Sequence, residues 1–292
     1  MTTHPIPRLF VTGATGELGQ LVIDALLRTV PADRIVAGVR NPDAPAAAAL
    51  GARGVEVRTT DYTKPETLTF EDIGKLLLIS SNAIGARVAQ HRNVIDAAAR
   101  AGVGLIAYTS VLHAATSPLG LAEEHRQTEA TLAAAGVPFV VLRNGWYTEN
   151  YTAAVPAALA HGALLGSAGA GRISSAARAD YAAAAAAVLT SDIDQNGKIY
   201  ELAGDASYGL ADFAAETARQ SGKPVAYTNL SEADYKAALL GAGLPEPLAD
   251  LLADSDAHAA GGALFDDGRQ LSRLIGRPTT PFGDTIAAAL KA

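Results

Sequence analysis

The sequence predicts an α/β fold, a doubly wound parallel sheet with a smaller, mainly helical carboxyl-terminal lobe, and three observations carry that prediction. Short apolar runs alternate with amphipathic stretches from Arg8 to Leu142, a glycine-rich turn joins the first run to the first amphipathic stretch, and the alternation stops beyond Gly204. A chain of 292 residues with 49% apolar side chains is long enough to fill such a core.

In chain order the expected strands are residues 9–12, 35–39, 55–58, 76–79, 105–109 and 139–142, short runs of the kind that a sheet covered on both faces buries. Between them, Leu18, Val22 and Leu26 fall on one helical face and Val88, Ile95 and Ala99 on another. Residues 144–167 break the repeat. The region after Gly204 reads mainly as helix, with Ser231 capping one helix and Pro245 opening another. A strand at residues 198–202 is expected to return to the first sheet, so the two lobes interleave in sequence. The expected division is a nucleotide-binding domain of residues 1–147 with 178–203, and a substrate-binding lobe of residues 148–177 with 204–292. Tight helix packing accounts for the alanine-rich helix at residues 180–189.

Composition removes several classes of function. A formal charge of −7 with no run of Lys and Arg argues against nucleic acid or an anionic membrane as partner, and favours a small or neutral ligand. Without any Cys, neither disulfides nor thiol redox chemistry contributes, and electron transfer must run through a bound cofactor. The longest apolar stretch, residues 181–189, is too short for a membrane span, and residues 1–7 lack the regions of a signal peptide. A cytoplasmic protein is expected. The six His residues are scattered, and Glu124 beside His125 point in different directions, so core or surface histidines and no metal site are expected.

Gly13-Ala14-Thr15-Gly16-Glu17-Leu18-Gly19 follows the first strand and opens the first helix, the context that turns a glycine pattern into a nucleotide site. Gly13 and Gly16 permit a tight turn and a close approach of backbone N–H groups to a pyrophosphate, and Gly19 removes a Cβ where helix meets strand. The spacing is GxxGxxG rather than the commoner GxGxxG, and a glycine turn without ligand is the bland alternative. The second strand ends in Arg40, where an NAD site usually has Asp or Glu, so a guanidinium is available for the 2′-phosphate of NADPH unless it is simply a solvated strand-end residue. Asp61 either accepts from the adenine amino group or caps the turn with Thr63 and Pro65.

The glycine loop, Arg40, Leu77-Leu78-Ile79-Ser80-Ser81, Gln90-His91-Arg92-Asn93-Val94, Tyr108-Thr109-Ser110 and Leu142-Arg143-Asn144-Gly145-Trp146-Tyr147 together resemble the NmrA-like group of atypical short-chain dehydrogenases, over nearly the whole chain. Residues 116–122 and 253–256 resemble its quinone-reducing bacterial members. The resemblance implies a Rossmann-type fold, a pyrophosphate held by Gly13 to Leu18, a 2′-phosphate on Arg40, and a ribose near Ser80 and Ser81. It also implies cofactor contacts from Tyr108, Arg143 and Asn144, residues 144–147 beside the nicotinamide and acceptor, and Arg178 reaching the cofactor from the returning segment. The same group contains triphenylmethane-dye reductases and regulators that sense NADP(H) without turnover, which stay as alternatives.

Ordinary short-chain dehydrogenases use a Tyr and a Lys four residues apart, the Lys lowering the Tyr pKa so that it protonates a forming alkoxide. No Tyr-x-x-x-Lys occurs here, and no Lys lies between Lys75 and Lys198. Hydride transfer to a quinone needs less, because the ring delocalises the developing charge and water can protonate the product. Tyr108, Ser110, His113, Asn144, Trp146 and Tyr147 are expected around the acceptor, at or beyond carboxyl ends of strands. Asn144 is the expected donor to a quinone oxygen, while Tyr108 and Trp146 are equally well read as core and His113 as either a surface residue or a proton donor. The expectation is therefore an NADPH-dependent reductase of a quinone or similar small aromatic acceptor, with Asn144, His113 and Tyr147 as catalytic candidates. No pattern points to a flavin, and a homodimer is left open.

Overall fold

The computed structural model of the chain describes residues 7–291; most of the amino-terminal stretch read above for a targeting signal lies outside the described residues. The elements are β1 (Leu9–Val11), α1 (Glu17–Leu26), β2 (Ile35–Val39), α2 (Pro45–Gly51), β3 (Glu56–Thr59), β4 (Lys75–Leu78), α3 (Arg87–Ala101), β5 (Leu105–Val111), α4 (Ala122–Ala134) and β6 (Phe139–Asn144). There follow α5 (Thr148–Thr152), α6 (Val155–His161), β7 (Ala163–Gly166), α7 (Arg178–Thr190), β8 (Ile199–Leu202), α8 (Leu210–Ser221), β9 (Ala226–Asn229), α9 (Glu232–Gly241), α10 (Glu246–Ala259), α11 (Gln270–Ile275) and α12 (Phe282–Ala289).

Seven strands form one sheet in the order β3-β2-β1-β4-β5-β6-β8, with β1 to β5 paired in parallel, the Rossmann-like arrangement expected. Strands β1, β2 and β5 are buried throughout because helices cover both faces, whereas β3, at the edge, is exposed at both ends. Strands β5 and β6 run two residues beyond their expected ends, so Ser110 and Asn144 lie within strands rather than loops. The face expected for α3 is displaced: Val88 and Ala99 are only half-buried, and the buried residues include Arg87 and His91. An apolar pattern misses them because their polar atoms meet partners remote in the chain, Arg87 meeting Glu124 and His125 of α4, and His91 meeting Thr128 of α4 and Ser81 after β4.

By its internal contacts the chain falls into two units of similar size. The first comprises the chain up to Val111, Glu124–Arg143 and Tyr181–Tyr200. Its core includes Phe10, Phe70, Leu76, Val94, Ile95, Ile106 and Tyr108, with Phe10 and Phe70 in an edge-to-face contact at 5.0 Å. Thr12 fixes the carboxyl ends of β1 and β4 side by side, since its hydroxyl donates to Leu77 O and accepts from Ile79 N and from Tyr62. Ala182, Ala184, Ala185 and Ala186 of α7 are buried there, Ala184 completely, as close helix packing requires.

The second unit comprises Leu112–Glu123, Asn144–Asp180 and the chain from Glu201 onward. It is mainly helical, with Ser231 accepting from Asp234 N at the start of α9 and Pro245 preceding α10. It also contains a parallel β7–β9 pair that the sequence reading lacks. Tyr208 stacks on Phe282 at 4.2 Å beside Phe213, and the completely buried Asp180 accepts from Thr280 and pairs with Arg277. Asp254 and Asp256, on α10, accept from Gly120 N and from Tyr151 and Ser167 N respectively. Among the described residues, no helix is long and apolar enough to cross a membrane.

Candidate functional site

The turn after β1 has the geometry its glycines allow. Gly13 takes φ +58°, a left-handed conformation that favours glycine, and Gly16 is the N-cap of α1. A Cβ at Gly19 would collide with the Gly13 carbonyl oxygen and with Ala14 Cα, so α1 can start this close to β1 only with glycine there. Ala14 N donates to Gly38 O at 3.1 Å, tying the turn to β2, while Gly13, Gly16 and Glu17 are exposed, Thr15 half-buried, and Ala14 and Leu18 anchored inside. A helix N-terminus with an exposed glycine turn is suited to a pyrophosphate.

Arg40 stands exposed one residue after β2 and makes no ion pair among the described residues. Asp61 uses Oδ1 to accept from Thr63 N at 2.9 Å and Thr63 Oγ1 at 2.7 Å, the turn-capping arrangement. Those bonds hold its carboxyl below the usual range, helped by the charges of Lys64 and Arg40.

Ser80 N donates to Thr109 Oγ1 at 2.9 Å, which sets the chain after β4 against β5. One residue on, Ser81 N donates to His91 Nε2 at 2.9 Å, so the His91 proton is on Nδ1, which faces Thr128 Oγ1 at 3.0 Å. Arg87, which can only donate, lies 3.2 Å from His125 Nε2 and thereby places the His125 proton on Nδ1, toward the Tyr108 hydroxyl at 2.7 Å. Burial, and then the Arg87 charge, push both imidazoles down to about 3, so both are neutral at physiological pH. Tyr108, expected beside the cofactor, has no exposed surface and a pKa raised by burial. In this conformation its side chain offers nothing to a ligand.

Arg143 is likewise engaged, donating from Nε to Glu129 Oε1 at 3.0 Å and from Nη2 to Oε2 at 2.6 Å. Glu129 Oε1 also accepts from Ser110 Oγ at 2.6 Å. The sequence reading missed Glu129, which lies on α4 four residues after His125; the absence of a Tyr-x-x-x-Lys pair was the signal to look at what α4 presents instead.

The remaining candidates belong to the second unit. Asn144 is buried, and its Oδ1 has no hydrogen-bond partner among the described residues. Tyr147 is half-buried; burial raises its pKa, an effect opposed by a hydrogen bond from Asn144 and by the nearby charge of Arg178. The Arg178 guanidinium lies 4.9 Å from the Tyr147 ring centre, and Arg178 N donates to both Glu149 oxygens, at 2.9 and 3.0 Å. Trp146 is buried. His113 has φ +54°, uncommon for a residue with a Cβ, and its N–H donates to Glu201 Oε2 at 2.7 Å. Its Nε2 sits 3.4 Å from Asp266 Oδ2. The structure thus brings Asn144, Tyr147 and Arg178 into one group and sets His113 in another, between two carboxylates.

A cavity of about 450 Å³ in the first unit is lined by Lys75, Leu105, Pro138 and the loop from Ser191 to Asn196, at the amino ends of β4 to β6. Open parallel sheets bind ligands at the carboxyl ends, so this cavity is not the candidate site. No group of three or more His, Asp or Glu among the described residues is arranged to hold a metal ion.

Residues 7–262 match the model of the NmrA-like family. The chain is 57% identical over 279 residues to quinone oxidoreductase 2 of Escherichia coli (strain K12), covering 95% of this chain and 96% of that protein. It resembles the crystal structure of an NADPH-dependent quinone oxidoreductase from Escherichia coli complexed with NADPH, with a TM-score of 0.92 and 56% identity over 97% of this chain and 99% of that one. It also resembles the Citrobacter sp. triphenylmethane reductase complexed with NADP(H), with a TM-score of 0.91 and 37% identity over 96% and 99% of the two chains.

Proposed function

Because the chain belongs to the NmrA-like family, we propose that it is an oxidoreductase that uses NADPH to reduce a quinone or similar small aromatic acceptor directly, without flavin. The observation that carries this reading is the likeness, at 57% identity over 95% of the chain, to a quinone oxidoreductase. The residues fit the cofactor. The left-handed Gly13 turn and the start of α1 suit a pyrophosphate, Arg40 leaves a guanidinium for the 2′-phosphate, and Ser80 and Ser81 present polar groups after β4. The first unit is accordingly read as the nucleotide-binding domain and the second as the substrate lobe, with Arg178 a cofactor contact. When bound, NADPH supplies the hydride.

The protein's own part is positioning. The unpartnered Asn144 Oδ1 marks a place where a ligand N–H or O–H is taken up, because leaving a buried acceptor unmatched costs about 1–3 kcal/mol. The hydrogen bond that Tyr147 receives comes from the amide of Asn144 and uses one of its two N–H groups, so beside the donor role expected from sequence Asn144 has an unpartnered acceptor oxygen. Tyr147 has no Lys beside it and a raised pKa, which makes it a weak acid. Water then protonates the product. Tyr147→Phe is expected to lower quinone turnover by less than about 100-fold, below the range of an essential general acid. A loss of several thousandfold in kcat with the fold intact would show that Tyr147 delivers the proton.

The decisive experiment incubates the protein with NADPH and a panel of benzoquinones, triphenylmethane dyes and aldehydes while following absorbance of the reduced cofactor. Many turnovers per protein with quinones are expected. The likeness to a triphenylmethane reductase makes dye reduction the second reading, and the ratio of the two kcat/KM values decides between them. Binding of NADPH with no turnover across the panel would overturn both and leave a sensing role.

A further inference from the structure

The chain between β4 and α3 is short, exposed at its tip, and held at both ends by side-chain acceptors, one from the buried His91 and one from the half-buried Glu124. At one end Ser81 N donates to His91 Nε2, and at the other Gly85 N donates to Glu124 Oε1 at 3.1 Å. Between them Ala83 N donates to Ser81 Oγ, which in turn donates to Gln90 Oε1, while Asn82 and Ile84 face solvent. Neither acceptor is free to move. His91 is completely buried with its second nitrogen on Thr128, whose hydroxyl donates to Glu124 O, and Glu124 Oε2 lies 3.3 Å from Arg87 Nε. Arg87, Gln90 and His91 come from α3, and Glu124 and Thr128 from α4. Two helices thus grip one loop.

We propose that His91 and Glu124 are positioning residues for the nucleotide: they hold the loop from Ser81 to Gly85 in its ligand-binding form before the cofactor arrives. This rests on the reading of the first unit as the NADPH site, through Ser80 and Ser81. A loop already ordered in the free protein loses less conformational freedom on binding, so the clamp contributes affinity without touching the ligand. His91 suits the task because it accepts only while neutral, and its burial keeps it so. A carboxylate in its place would leave an uncompensated buried charge on the Thr128 side.

The test uses His91→Leu, which removes the acceptor, and His91→Gln, whose Oε1 can still accept from Ser81 N. Calorimetric titration is expected to show His91→Leu weakening NADPH and NADH alike by about threefold to tenfold, the value of one hydrogen bond. His91→Gln should recover most of that loss. In the full-length protein without nucleotide, amide exchange at Ser81 and Gly85 should accelerate in His91→Leu while the strands of the sheet keep their protection. Glu124→Ala should act in the same direction, and its effect should not add fully to that of His91→Leu, because the two ends hold one loop. Wild-type affinity in His91→Leu, or His91→Gln as weak as His91→Leu with unchanged melting temperature, would overturn the proposal. Failure of the wild-type protein to bind NADPH would instead overturn the cofactor reading, and the exchange measurement still tests the clamp in that case.

Discussion

Arg40→Ala is expected to raise the NADPH dissociation constant by about 10- to 150-fold while leaving that of NADH nearly unchanged. The range follows from the roughly 1.5–3 kcal/mol that hydrogen bonds to a charged group contribute. Arg40 is suited to the measurement because it is exposed and makes no ion pair among the described residues, so its removal leaves no buried partner stranded. The Asp61 charge nearby, kept ionised by its bonds to Thr63, gives the guanidinium a fixed electrostatic neighbour. Turnover at saturating NADPH should fall far less than affinity, since a contact equal in ground and transition states affects binding alone. Added salt should weaken NADPH more than NADH in the wild type, because only NADPH carries the extra phosphate. Equal losses for the two cofactors, or none, would mean that Arg40 is a solvated strand-end residue.

Lowering the pH from 8 to 5 is expected to reduce folding stability by about 3 kcal/mol through three buried groups. His91 and His125 fall to about 3 in the fold from about 6.5 in the unfolded chain. Below pH 6.5 the unfolded chain therefore binds protons that the fold refuses, and at pH 5 each imidazole costs about 2 kcal/mol. Asp256 works the other way. Burial raises it to about 6 from 3.8, so the fold holds a proton at pH 5 that the unfolded chain has lost, returning about 1.4 kcal/mol. Guanidinium unfolding at the two pH values measures the balance. Equal stability at both would show that the imidazoles are not held neutral, and His125→Asn should remove about half of the histidine contribution.

The glycine turn was legible in the sequence because its constraint is local: Gly13, Gly16 and Gly19 answer a left-handed φ, a helix start and a close approach within seven residues. Strands β1, β2, β4, β5 and β6 were legible because each is a largely buried apolar run, whereas β3 and β8, at the two edges of the sheet, are more exposed. What could not be read depends on partners remote in the chain. His91 is buried because Ser81 and Thr128 meet it, and Arg87 because Glu124 and His125 do, so no apolar period marks their face of α3. Strands β7 and β9 are four residues each and about sixty apart, with no alternation to announce them. Glu129 shows its importance only through Ser110 and Arg143. His113 adopts a backbone conformation that residue type does not suggest, and the bond from its N–H to Glu201 accompanies it.

The division of the chain between its two units also governs how the molecule is made. The first unit is assembled from three separate pieces, the last of them Tyr181–Tyr200, and the second also begins early, with Leu112–Glu123. A ribosome therefore delivers the final piece of the first unit only after two pieces of the second have already emerged. Neither unit can be completed in isolation and then followed by the other, as happens when domains are successive along a chain. A nascent chain halted near residue 150 would lack α7, most of which belongs to the first unit, so the polypeptide is expected to depend on reaching at least residue 200 before that unit becomes resistant to proteases.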